Sequence, residues 1–184
     1  MSKPAPGQST HDPVVRRVHW LNAILALLAI MSAWGISGAP RHGAARGWLI
    51  VLHGSLGLTI LGATLFWAGW RLGHPPPPLR PVMNTVETVL ARTIQAALVL
   101  LFVAMPISGY LSLAAAGKSV SFFGLVDVPP LVAESGRLSQ AAFALHLLGE
   151  FLIYGLVALH IAAALQHALI RRDGIMERML PRRP

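Results

Sequence analysis

Apolar positions along this chain fall into four long runs almost free of charge, separated by short segments rich in Gly, Pro and Arg. Val18 to Ile36 carries only His19, Asn22 and Ser32 as notable polar groups, and Gly35, Gly38 and Pro40 end it. Trp48 to Trp70 is 23 residues long without a charge, and a Trp at each end suits the two interfacial belts of a bilayer. Ile94 to Leu113 contains Met105-Pro106, where the missing N–H predicts a kink, and Gly109, which permits close approach of a neighbour. Ser139 to Ile170 spans about 48 Å as a helix against a hydrocarbon core of about 30 Å, so one end protrudes. Ahead of the first run, His11-Asp12-Pro13 reads as a helix start with Asp12 as N-cap and Pro13 in the first turn. The pattern predicts an all-α integral membrane four-helix bundle. A flexible tail, 1–12, precedes one domain, 13–184, with spans near 16–37, 48–70, 93–114 and 139–170. Pro75 to Pro78 form a stiff connector, and 114–138 is a loop.

Composition agrees: 54% of residues are hydrophobic and 12% charged, too few charges to cover a soluble domain. A soluble protein with buried central helices would show amphipathic ones instead. With no cysteine, disulfides, thiolate metal sites and cysteine nucleophiles are excluded. The net charge of +8 is a topology signal rather than a nucleic-acid footprint. Eleven of the 15 basic residues lie in the N-tail, the 71–92 connector and the C-tail; the opposite loops hold Arg41, Arg46, Lys118 and Arg137. The positive-inside rule then places both termini in the cytoplasm, and the basic segments against anionic lipid.

His19, His53, His146 and His160 fall within or at the edge of the runs, where histidine is costly and faces a bundle interior or a functional site. His146 and His160 are 14 residues apart, about 40° short of four turns, so they share a helix face about 21 Å apart along the axis. The alternating direction of the spans pairs His19 with His160 on the inner side and His53 with His146 on the outer side. Zinc needs four ligands, and the runs offer no cysteine and few acids. A haem iron asks the protein for only two axial groups, which imidazoles supply, leaving no open position and an outer-sphere mechanism. Small residues about a turn after each histidine (Ala23, Gly57, Gly149, Ala163, Ala164) suit a flat ring beside the helices, though plain helix packing uses them too.

Glu150, one turn after His146, has three readings: a partner of the His146 ring N–H, a proton group in a watered niche near the outer surface, or a protonated or snorkelling surface acid. His167 is seven residues past His160 and competes with it as a ligand on geometry. His160 lies deeper in the apolar run, so His167 is read at the mouth of a quinone or proton site, with Arg16, Arg17 and Trp20 as further candidates.

Val18-His19-Trp20, Leu52-His53-Gly54-Ser55-Leu56-Gly57, Met105-Pro106-Ile107-Ser108-Gly109-Tyr110, the stretch Leu159 to His167, and the terminal Arg172-Asp173-Gly174 with Arg178-Met179-Leu180-Pro181 together resemble the bacterial cytochrome b561 family. The resemblance covers nearly the whole chain after the tail. It implies an inner-membrane, multi-pass cytochrome with two haem b groups, with His19, His53, His146 and His160 at the axial ligand positions. It further implies single-electron transfer from superoxide at the periplasmic face to ubiquinone, that is, a superoxide:ubiquinone oxidoreductase, with His167 on the quinone side. The family's further histidine early in the third span is replaced here by Gln95, and Glu150 lacks a family counterpart. The basic residues Arg41, Arg46, Lys118 and Arg137 are candidates for attracting superoxide. Two other readings stand beside this one: a cytochrome b subunit of a respiratory dehydrogenase or hydrogenase, fed by a separate periplasmic electron donor, and a haem-free membrane structural or assembly protein.

Overall fold

The computed structural model describes residues 11–75 and 83–180. The expected tail up to residue 10, Pro76 to Pro78 of the proline connector, Arg80, and the basic Arg182 and Arg183 lie outside the described residues. Among the described residues four helices are long and apolar enough to cross a membrane: α1 (Pro13–Gly38), α2 (Ala44–Gly73), α3 (Thr85–Ala114) and α4 (Gly136–Leu165). Asp12 caps α1 as expected, accepting from the Val14 and Val15 amides at 2.8 and 3.3 Å. The third helix starts eight residues before the expected 93. Asn84 and Glu87 form a reciprocal capping box there, satisfying two orphan amides and carrying the helix beyond the apolar stretch. It continues through Pro106 to Ala114.

The segment read as a plain loop contains an antiparallel hairpin, β1 (Val120–Phe122) with β2 (Val126–Val128), turned at Phe123 and Gly124, both at positive φ. It lies against α2. Ser55 accepts the Phe123 amide at 2.7 Å and is itself fully buried. Val120 sits where a side chain on Gly54 would be, 3.3 Å from that position. Tyr110 ties the following residues to α3, donating to the Pro129 carbonyl at 2.7 Å and accepting from the Leu131 amide at 2.9 Å. These contacts mark a hairpin end of the bundle. At the opposite, terminal end, α4 widens into a π-helical turn, Gln166–Arg171, followed by a short 3-10 turn, Met176–Arg178.

Backbones pack closely between α1 and α2, between α3 and α4, and less extensively between α2 and α3. Among the described residues α4 has no comparable backbone packing on α1 or α2. The layer α1–α2 and the helix α4 are therefore bridged by side chains. The outward faces carry Ile24, Leu27, Phe66, Leu100, Phe143, Phe151 and many other exposed apolar residues, and few side chains are fully buried. Such a surface is stable in lipid and not in water.

Candidate functional site

Among the side chains that bridge α4 to the first layer are the four histidines. His53 on α2 and His146 on α4 have ring centroids 6.0 Å apart, and His19 on α1 and His160 on α4 have theirs 6.1 Å apart. The ring planes cross at 80° and 65°. Two imidazoles bonded through one nitrogen each to a single metal, at about 2.0–2.1 Å per bond, have centroids about 6.4 Å apart. Both pairs come close to that span. No group of three or more His, Cys, Asp or Glu side chains gathers for a metal among the described residues, so each pair offers two ligands only. Two axial imidazoles between helices held apart at the backbone fit a haem and do not fit a zinc ion.

The hairpin-end pair is oriented by two matching brackets. His53 Nδ1 lies 3.0 Å from the Ala29 carbonyl and 3.1 Å from Ser32 Oγ, while Ser32 donates to the same Ala29 carbonyl at 2.8 Å. His146 Nδ1 lies 3.0 Å from the Met105 carbonyl and 3.2 Å from Ser108 Oγ, and Ser108 donates to Met105 at 2.9 Å. In each bracket a carbonyl and a serine three residues on, one on α1 and one on α3, receive Nδ1–H. The tautomer this selects leaves the Nε2 lone pair free for a metal. Gly109 makes the second bracket accessible: a Cβ there would sit 3.0 Å from His146 Cε1 and 3.2 Å from Nδ1. The expected close neighbour of Gly109 is thus the histidine ring itself. Neither bracket was visible in sequence, because Ser32 and Ser108 look like ordinary helix serines until the partner helix is placed.

Glu150 does not take the His146 N–H; that proton goes to Met105 and Ser108. Glu150 instead accepts the hydroxyl of Tyr154, which accepts the Trp34 indole N–H at 2.8 Å. A Cβ on Gly57 would meet Pro106 at 3.8 Å, and one on Gly149 would strike the Met105 sulfur, so both serve packing against α3.

The remaining candidates divide between places. His167, on the π-helical turn, is buried with Nδ1 2.6 Å from Asp173 Oδ2. Arg172 and Gly174, both at positive φ, turn the chain so that Asp173 faces back. Arg16 donates to the Leu180 carbonyl at 2.6 Å and Trp20 to that of Met179 at 2.9 Å, whereas Arg17 is exposed. His167 and Glu150 are 17 residues apart along α4, about 25 Å, so they do not share a site. Nearby, His11 donates its amide to the Arg178 carbonyl, and Asp12 accepts the Trp70 indole at 3.2 Å. Partial burial, with Arg178 and Arg71 close by, pushes His11 down to about 4. At the hairpin end Arg46 donates to the Ile36 and Ala39 carbonyls and caps α1, so its guanidinium is engaged.

Comparison with known proteins gives the family. The family described as prokaryotic cytochrome b561 matches residues 10–182. Cytochrome b561 homolog 2 of Escherichia coli (strain K12) is 33% identical over 166 residues, covering 88% of this chain and 86% of its own length. Probable superoxide oxidase CybB of Yersinia pestis is 31% identical over 166 residues, covering 90% and 93%. Four apolar helices, paired membrane histidines and a family match over nearly the full length lead to one conclusion: the chain belongs to the prokaryotic cytochrome b561 family of haem-bearing, electron-transporting bacterial membrane proteins.

Proposed function

We propose that this chain is a dihaem cytochrome of the inner membrane that oxidises superoxide and reduces ubiquinone, with both termini in the cytoplasm. The carrying observation is the two histidine couples, His53/His146 and His19/His160, at 6.0 and 6.1 Å. The name of the Yersinia relative supports superoxide as donor. Bound between each couple, haem b supplies reversible one-electron chemistry. Over a full turn two superoxide anions become two dioxygen molecules, and ubiquinone takes two electrons and two protons to ubiquinol.

The chain's own residues hold, orient and attract. The Ala29/Ser32 and Met105/Ser108 brackets hold His53 and His146 with Nε2 unprotonated. Arg41, Lys118 and Arg137 at the hairpin end raise the local concentration of a small anion, and Arg46 adds its charge while capping α1. At the terminal end His167 and Asp173 form a buried pair able to hold a proton for quinone reduction. Trp20 and Arg16 order the chain terminus beside it.

The test is a dithionite-reduced minus oxidised spectrum with haem extraction on wild type and His160→Ala. Two b haems per chain are expected to fall to one. Retention of two moves the ligand role to His167, and a colourless wild type from haem-replete cells refutes the reading. Superoxide-driven ubiquinone reduction by the purified protein tests donor and acceptor; failure with both haems intact points to the dehydrogenase or hydrogenase subunit. Because the chain has no cysteine, a single Cys at Lys118 reports topology: it should label from the periplasmic side only.

A further inference from the structure

Glu150 is the one carboxylate in the apolar part of the bundle. Residues 20–40, 47–70, 93–114 and 138–166 contain no Lys, Arg or Asp and no other Glu. Its setting is directional. An indole N–H only donates, so Trp34 occupies the acceptor side of Tyr154, and the single phenolic proton points at Glu150 Oε1. Tyr154 is a fixed donor and not a relay. Oε2 has no hydrogen-bond partner among the described residues, so it is the oxygen open to a proton.

The titratable groups facing this half of the bundle are few. They are His53 from α2, His146 and Tyr154 from α4, and Tyr110 from α3, whose hydroxyl is tied to Pro129 and Leu131. α1 has none between His19 and Arg41. Arg46 is held at the Ile36 and Ala39 carbonyls, just past Trp34 on α1, Glu150 has no ion-pair partner among the described residues, and a carboxylate so placed is costly. The proposed function would supply the missing charge: apart from its propionates, a porphyrin dianion around trivalent iron would carry one net positive charge, and around divalent iron none. Glu150, one helical turn from His146, is the carboxylate placed to feel that change.

We infer that Glu150 is a proton-loading site coupled to the redox state of the group held by His53 and His146. With haem held there, each electron taken from superoxide would be matched by one proton from water adding to Oε2. Oxidation reverses both. This inference rests on the proposed haem assignment.

The experiment is a potentiometric titration of the holoprotein, followed optically, from mildly acidic to mildly alkaline pH. In wild type the midpoint of one of the two haem components falls as pH rises, by up to about 59 mV per pH unit for one proton per electron. In Glu150→Gln that component is flat and stays at the acid limit of wild type. In Tyr154→Phe the slope persists, because Tyr154 is a donor to the carboxylate and not the site of the added proton. The reduced-minus-oxidised infrared spectrum gains a carboxylic acid C=O band in wild type that Glu150→Gln lacks. A flat wild type overturns the inference. So does an unchanged slope in Glu150→Gln, which assigns the proton to the porphyrin propionates or another group. Either result with two haems present leaves the proposed function standing, whereas a chain without haem overturns both.

Discussion

Gly109→Ala puts the histidine bracket on α3 to a direct test. A methyl at this position would lie 3.0 Å from His146 Cε1 and 3.2 Å from Nδ1. Ordinary carbon contacts begin at about 3.5 Å, so the ring must retreat by about 0.5 Å. Its Nδ1 partners, the Met105 carbonyl at 3.0 Å and Ser108 Oγ at 3.2 Å, belong to the same helix as the new methyl. Retreat therefore stretches both contacts toward or past about 3.5 Å, where a hydrogen bond is largely lost. Losing a net 0.5–1.5 kcal/mol weakens ligand affinity by about 2- to 12-fold. Loss of the outer partner of a ligating histidine typically costs about 10- to 100-fold. The assay is haem content after purification under limiting haem, with the two spectral components resolved in the reduced-minus-oxidised spectrum. One component should fall or shift while the other holds. Gly155→Ala, on α4 with nothing within 4 Å of the added methyl, is the control and should match wild type. Two full haems and an unshifted spectrum in Gly109→Ala would refute the bracket.

Other perturbations have equally definite outcomes. Ser32→Ala and Ser108→Ala each remove one arm of a bracket but leave the carbonyl, so each should alter the same spectral component, more weakly than Gly109→Ala. His11 has its proton affinity lowered by folding to about 4 from 6.5. Its contribution to stability is thus fully present above about pH 6.5 and is lost as pH falls toward 4; melting temperature against pH should flatten over that window in His11→Gln. For Asp12, burial raises the pKa, but the Val14 and Val15 amides and the Trp70 indole outweigh it and hold the carboxyl below its usual range. Its contribution is present above about pH 4 and lost on further acidification, and Asp12→Asn should remove that acid-side drop in thermal unfolding. Glu87→Gln keeps the capping box and removes the ion pair with Arg171, whose side chains are 29% and 34% exposed. An exposed pair of this kind is worth about 0–1 kcal/mol, so the melting temperature should move little.

Much of the site was readable in sequence because the features involved are periodic. A helix repeats every 3.6 residues, so His146 and His160 had to share a face, and alternating spans had to bring one histidine from each of the first two to meet them. Asp12-Pro13 was readable for a similar reason, since capping depends on residues adjacent in the chain. The start of α3 lies ahead of the apolar run, because hydropathy marks the apolar stretch while the Asn84/Glu87 box sets where the helix begins. The β1–β2 hairpin was missed because its strands are three residues each, too short for alternation to register. Asp173 was read only as part of the C-terminal motif, because its meeting with His167 depends on a π-helical turn followed by left-handed residues on either side of it.

The order of residues alone thus determined that the chain crosses lipid four times, and which four imidazoles stand at matching depths, since both follow from helical rise and from the cost of charge in hydrocarbon. Only the tertiary structure decided which atoms orient those rings, which glycine faces His146, and that Glu150 answers to Tyr154 rather than to its nearest histidine. Those outcomes depend on which side chain of one helix lies opposite which carbonyl of another. Helix rotation and approach set that to within an ångström, a quantity that no spacing along a single strand of sequence encodes.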